Sequence, residues 1–271
     1  MFTIELDLPS GKKVRIPELN NKDHLAIIKF CENKDYGGLN GFFEQLYLTP
    51  DLNIFDRFYV LMYVRRLFVG GSITFIGKDE MEISYSIGDI LVRLEDNYID
   101  VHRELIYGNI TLQVGIPVGS YFDSLDDLYN YTIKSVKFKD TEIDFTLLSN
   151  KDKRLLLDRL PSPVFQLLQS YITELSNTLF DLTLIEENKA FDIAEVKVNI
   201  LGNGVMHFIS SLFANDLFSF YETLYYYNNL VSVGSGDFFD LTFNEVQLLL
   251  KIHEERIKRE NEEIAKSNGL S

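Results

Sequence analysis

A single cysteine, Cys31, stands among 271 residues. No internal disulfide can form, and no zinc site built on paired cysteines is available. Basic charge is scarce too: 26 Lys and Arg face 41 Asp and Glu, a formal net charge of −15 at pH 7. Phosphate contacts need clustered cations, so nucleic acid is not an expected partner, and an anionic membrane surface is disfavoured on the same ground. Long apolar runs are missing as well. The longest, residues 58–64, is seven residues between Arg57 and Arg65, whereas a membrane span needs about 20. The start, Met1-Phe2-Thr3-Ile4-Glu5-Leu6-Asp7, alternates apolar with polar and acidic residues; a signal peptide would begin basic and then turn apolar, so no targeting segment is expected. What is present is globular: 46% hydrophobic and 13% aromatic residues, in a length that suits one large domain or two small ones.

Periodicity lays out the elements. Phe2, Ile4, Leu6 and Leu8 alternate with polar residues, Pro9-Ser10-Gly11 supplies turn chemistry, and Val14 and Ile16 resume the alternation, which predicts a β-hairpin. Asn20 and Asn21 are candidate caps for a helix running to about Cys31. Cys31 falls within its apolar pattern, with no helix N-terminus or basic neighbour to lower its pKa, and is expected to be a buried small residue. Gly37-Gly38-Leu39-Asn40-Gly41 is expected to break the chain before a short helix carrying Phe42, Phe43 and Leu46. Asn53 then caps a strongly apolar helix that Gly70-Gly71 ends. Over residues 72–118 the period becomes two and predicts one small antiparallel sheet unit, with 91–107 open between strand and helix. A short acidic helix over 122–131 and two short strands around Lys139-Asp140 follow.

The second half repeats this alternation of types. Ser149 to Asp152 forms a capping-box start, and Leu160-Pro161-Ser162-Pro163 is the sharpest stop in the chain. A helix from Val164 to about Phe180, a hairpin around residues 186–189 and helices over 206–213 and 216–228 come next. Thr242-Phe243-Asn244-Glu245 is a second capping box and opens the final helix. Its apolar stripe of Phe243, Val246, Leu249 and Leu250 fades into charge, so the helix should dock at its start and project at its end. No long internal repeat is visible, although two β-to-helix halves meet near residue 150. The expected fold is α+β, with two lobes over 1–148 and 149–271. Each holds a small antiparallel β unit packed by helices, and the chain ends in a long charged helix.

No catalytic constellation emerges. His24, His102, His207 and His253 are scattered, and His253-Glu254-Glu255-Arg256-Ile257 lacks the second histidine of a zincin helix. There is no Gly-x-Ser-x-Gly elbow, phosphate loop or dinucleotide fingerprint, and Gly202-Asn203-Gly204 reads as a turn. Carboxylate pairs such as Asp126-Asp127 read better as a solvated acidic face than as a glycosidase dyad across a cleft. No cofactor, metal ligand or catalytic residue is assigned.

Two segments point to partners. In the aromatic helix, Phe218, Tyr221 and Tyr225 follow the three-four spacing of a core stripe. Three consecutive tyrosines, Tyr225-Tyr226-Tyr227, cannot all point inward, which favours a protein interface. In the last helix, Ile257 and Ile264 continue the heptad line of Phe243 and Leu250, while Glu254–Lys258, Glu255–Arg259 and Glu262–Lys266 support the helix in solvent. Phe220, Tyr225, Tyr226, Tyr227, Ile257 and Ile264 are the candidate partner-binding residues, toward another protein or a second copy.

Leu8-Pro9-Ser10-Gly11-Lys12-Lys13-Val14-Arg15, followed by a helix opened by Lys22-Asp23, resembles the baseplate hub assembly proteins of contractile-tailed, T-even-type bacteriophages. The likeness extends in order through residues 21–32 and 53–76, Leu160-Pro161-Ser162-Pro163-Val164, Phe208-Ile209-Ser210-Ser211-Leu212-Phe213 and Leu241-Thr242-Phe243-Asn244-Glu245. Relatives in that family carry Cys-x-x-Cys pairs in their β units, and this chain has none. The resemblance implies a non-enzymatic protein that builds the central hub, as chaperone or subunit, in contact with other baseplate hub proteins. It also implies a place in the host cytoplasm during assembly or in the virion baseplate. The alternatives are a tail-associated cell-wall hydrolase using a carboxylate pair, and a generic adaptor.

Overall fold

The computed structural model describes residues 3–49, 51–76, 82–119, 125–185, 196–201, 205–214, 217–230 and 237–267. The chain opens with the hairpin β1 (Thr3–Asp7) and β2 (Lys13–Pro17), paired antiparallel from Thr3↔Pro17 to Asp7↔Lys13. Its inner face is Leu6, Val14 and Ile16. Helix α1 (Asn21–Glu32) is capped by Asn20, whose side chain accepts the Asp23 N–H at 2.9 Å. Asn21 is buried instead, its Nδ2 donating to the Phe238 carbonyl at 2.9 Å. Cys31 is buried, and burial raises its thiol pKa.

Helix α2 (Tyr36–Leu46) contains the glycines expected to break the chain. The reason is packing: a Cβ on Gly38 would sit 2.4 Å from Asp35 Oδ2 and 2.6 Å from the Phe30 ring. Asp35 caps this helix through the Gly38 N–H at 2.9 Å, so the glycine lets cap and ring approach together. Helix α3 (Ile54–Val64) is the centre of the molecule, every residue but Tyr63 being buried. Asn53 caps it through the Asp56 N–H at 2.8 Å. Its two internal charges are held: Arg57 pairs with Glu44 at 3.1 Å, and Asp56 Oδ1 accepts the Ser10 N–H of the first hairpin at 3.3 Å.

A π-helical turn (Arg65–Val69) follows α3, and then β3 (Ser72–Ile76), β4 (Glu82–Ser86) and α4 (Ile87–Asn97). The period-two region therefore makes two sheets where one was expected. β3 and β4 pair only with each other among the described strands, while β5 (Arg103–Tyr107), β6 (Ile110–Val114), β7 (Ile133–Phe138) and β8 (Thr141–Asp144) form a four-stranded antiparallel sheet in that order. The ambiguous stretch 91–107 divides between α4 and β5, because Ser86 caps a helix through the Asp89 N–H and takes Ile87 out of the strand. Helix α5 (Leu125–Thr132) connects β6 to β7; the beginning of the expected acidic helix, 122–124, lies outside the described residues.

Helix α6 (Asn150–Leu157) starts at the anticipated box, with the Asp152 N–H on Ser149 Oγ at 3.2 Å. Helix α7 (Ser162–Leu175) runs into a second π-helical turn (Ser176–Phe180), then β9 (Asp181–Ile185), β10 (Val196–Asn199) and α8 (Val205–Phe213). This is the same order as α3, π turn, β3, β4, α4. The turns match residue by residue, and their last two residues are buried in both: Phe68 and Val69, Leu179 and Phe180. The two units have little in common residue by residue beyond Ser72-Ile73-Thr74-Phe75-Ile76 and Asp181-Leu182-Thr183-Leu184-Ile185, which share an apolar-Thr-apolar-Ile pattern.

The two units interlock. Phe55 of α3 meets Phe180 with ring centroids 6.4 Å apart, and Phe58 stacks on Phe208 of α8 at 6.2 Å. Arg103 of β5 forks onto Glu174 of α7 at 2.6 and 2.7 Å. One hydrophobic cluster runs from Leu6 through Leu112 and Leu168 to Phe213, with residues from both sides of the 148/149 division. A second cluster gathers Ile28, Phe220, Tyr227, Phe238 and Val246 beneath α9 (Leu217–Leu230) and α10 (Phe243–Ser267).

Candidate protein-interaction surface

Helix α9 has 14 residues and one charge, Glu222. Phe220 and Tyr227, seven apart, turn inward and are each 1% exposed. Phe220 meets Phe238 edge-on at 5.5 Å and Tyr227 meets it at 5.6 Å. The two were expected at an interface, and this corrects that expectation: they hold α9 to the body. The three-four stripe that suited a core lies outside, with Phe218 71% and Tyr225 65% exposed and Tyr221 and Tyr226 also on the surface. The phase of the helix is set by Phe238 and by α1, which sequence spacing within α9 does not reveal. Tyr225 and Tyr226 contact each other edge-on at 5.9 Å, making a preformed aromatic ledge.

Helix α10 begins with a reciprocal capping box. The Thr242 N–H donates to Glu245 Oε2 at 2.8 Å, and the Glu245 N–H donates to Thr242 Oγ1 at 3.2 Å. Val246 is buried in the second cluster, Leu249 and Leu250 pack against it, and Asn244 Nδ2 donates to the Leu67 carbonyl of the first π turn. From Glu254 to Ile264 the side chains are exposed, Ile257 being 39% exposed. Glu255–Arg259 pairs at 3.8 Å, and Arg256–Glu260, which was not anticipated, pairs at 3.4 Å. Lys266, expected opposite Glu262, has a side chain outside the described residues.

The histidines do not converge. His24 is 1% exposed and sits edge-on between Phe220 at 6.0 Å and Phe243 at 5.5 Å. Burial, with the Arg65 cation adding to it, pushes its pKa down to about 4. His102 lies on the surface beside Asp100, at 3.1 Å. Among the described residues no three His, Cys, Asp or Glu side chains cluster as metal ligands, and no helix is long and apolar enough to cross a membrane. The side chains of Asp126 and Asp127 lie outside the described residues. A buried lysine, Lys153, rests its ammonium over the rings of Tyr131 and Phe145 at 5.6 and 5.5 Å, and burial lowers its pKa.

The fold is α+β, built on a duplicated helix–π turn–hairpin–helix unit with an exposed aromatic helix. The profile of the T4 bacteriophage base plate protein family matches residues 1–189, and the chain belongs to that family. The match spans the first hairpin, the first unit, the sheet and the second unit through β9; α8, α9 and α10 lie beyond it. No curated protein and no solved structure matches the chain.

Proposed function

We propose that this T4-type baseplate protein acts in assembly of the central hub, as chaperone or hub subunit, by contact with other hub proteins and without catalytic chemistry of its own. The observation that carries the reading is the outer face of α9, where Phe218, Tyr221, Tyr225 and Tyr226 are exposed on a helix with a single charge. Interface cores are enriched in aromatic residues and depleted of charge, and tyrosine brings apolar area with one polar handle. An exposed patch of this kind is a binding feature more often than a solvated surface. The protein would meet its partners in the host cytoplasm during assembly and stay with the baseplate if it is a subunit.

Co-expression with the other hub proteins followed by pull-down tests this. Phe218→Ser with Tyr225→Ser should abolish capture while the thermal melt is unchanged, because neither side chain is in the core. Undiminished capture by that variant overturns the reading. A peptidoglycan turbidity assay addresses the hydrolase alternative, and no clearing is expected.

A further inference from the structure

The interior of the protein has two parts of unequal size. The large cluster joins the first hairpin to α8, whereas the second has five buried residues. Four of them, Phe220, Tyr227, Phe238 and Val246, belong to α9, the 3-10 turn Phe238–Asp240 and α10, and Ile28 of α1 is the body's one contribution. These C-terminal elements form an arm laid on α1 and on the first π turn. Asn21 is its main fastener. The Asn21 backbone N–H donates to the Leu241 carbonyl at 2.7 Å, and its Nδ2 donates to the Phe238 carbonyl at 2.9 Å.

Buried polar groups go unpaired along this same seam. Asn21 Oδ1 and both ring nitrogens of His24 have no hydrogen-bond partner among the described residues, although His24 is boxed in by Phe220 and Phe243 of the arm. An unpaired buried polar atom subtracts from the packing around it, and a charge there subtracts more. The cation that acts on His24 is Arg65 of the π turn, of the same sign as an imidazolium; Arg66 of that turn is exposed. The carboxylates of the arm are committed elsewhere: Glu245 bonds Thr242, and Glu222, Asp237 and Asp240 are exposed. On α10, Lys251 is exposed, and His253 lies ten residues beyond Phe243, about 15 Å along the helix. Asp23, beside His24 on α1, has its carboxyl pKa raised by burial, so acid relieves it and works against opening.

We propose that α9, the 3-10 turn and α10 open from the body as one unit while the body stays folded, and that protonation of His24 drives the opening. In the closed arm the imidazole is held neutral, its pKa pushed down to about 4 from 6.5; in the open arm it returns to solvent. The open form therefore takes the proton first, and opening grows as pH falls from 6.5 toward 4. Folded chains open locally at a lower cost than they unfold, and the division into two clusters sets the boundary here. Opening uncovers Ile28, Phe220, Tyr227 and Phe238, an apolar surface that the closed form hides. This inference concerns the inner face of α9 and does not rest on the reading of its outer face.

Amide hydrogen exchange of the full chain, read by mass spectrometry at about pH 7.5 and about pH 5 and corrected for intrinsic rates, tests it. Peptides of α9 and of α10 up to Leu250 should open together, about tenfold or more above peptides of α3 at both pH values. Their opening should rise by about tenfold or more on acidification. His24→Leu removes the unpaired nitrogens and the proton site, so arm opening should fall and its response to acid should disappear. His24→Gln keeps a neutral polar group and should lose the acid response alone. Arm and α3 peptides that open to the same extent at both pH values overturn the proposal, since the arm would then leave only with the whole fold. An arm that opens early without responding to acid, or an acid response that survives in both histidine variants, overturns it equally.

Discussion

The two helix–π turn–hairpin–helix units use one order of elements with two different means of holding the turn. In the first, a half-buried guanidinium does the holding: Arg65 spans the Gly70 and Leu212 carbonyls, and desolvation lowers its pKa to about 10. In the second, the counterpart residue is Ser176, which only accepts a hydrogen bond from Asn199 Nδ2 at 2.6 Å within its own unit. The second turn compensates with a larger apolar anchor, since Phe180 stands where the first has Val69 and reaches Phe55 across the interface. The same geometry is thus secured once by polar bonds to neighbouring elements and once by ring packing. A layer of α1, α9 and α10 lies beside the first turn, which α10 meets directly, and α1 also packs on α8 of the second unit.

The largest expected effect tests the apolar anchor. Phe180 is fully buried, so Phe180→Ala should cost about 3–5 kcal/mol, whereas Val69→Ala, the matching truncation in the first turn, should cost about 1.5 kcal/mol. Denaturant unfolding of both variants gives the two values. Equal losses would show that the turns are held alike after all.

The polar clasp comes next. Arg65→Met keeps the stem but leaves buried carbonyls without donors, at about 1–3 kcal/mol for the unsatisfied groups. Ser176→Ala should cost about 1 kcal/mol or less. If the order were reversed in thermal melts, the guanidinium would not be what fastens the first turn to α8.

His24 reports on the layer of α1, α9 and α10. Its folded pKa is depressed to about 4 from an unfolded value of 6.5, so the unfolded chain binds the proton first as pH falls. The stability involved is fully present above pH 6.5 and is lost as pH drops toward 4, by up to about 3 kcal/mol. His24→Leu should flatten that part of the profile. Identical pH profiles for the two proteins would show that the histidine is not held neutral in this layer.

The smallest effect belongs to the projecting helix. A chain ended after Lys251 keeps the capping box, Val246, Leu249 and Leu250, and should unfold cooperatively within about 1 kcal/mol of the full chain. A broad or strongly lowered melt would show that the exposed half of α10 supports the layer from a distance.

The features legible in the chain alone are those that close within a few residues. The first hairpin follows from alternation and Pro9-Ser10-Gly11, and each cap at Asn53, Ser149 and Thr242 is a side chain bonding an N–H three residues on. The family likeness was legible for the same reason, as an ordered series of such local signals. Features that depend on distant partners are fixed only by the packing of the folded chain. Gly38 stays helical because Phe30 presses on it, Ile87 leaves its strand for a helix, and one apparent sheet divides into two. Above all, Phe220 and Tyr227 face inward and Phe218 and Tyr225 face out, because Phe238 waits beneath the helix. An aromatic residue on every face gives a helix no preferred side of its own; the side is chosen by whichever surface it meets.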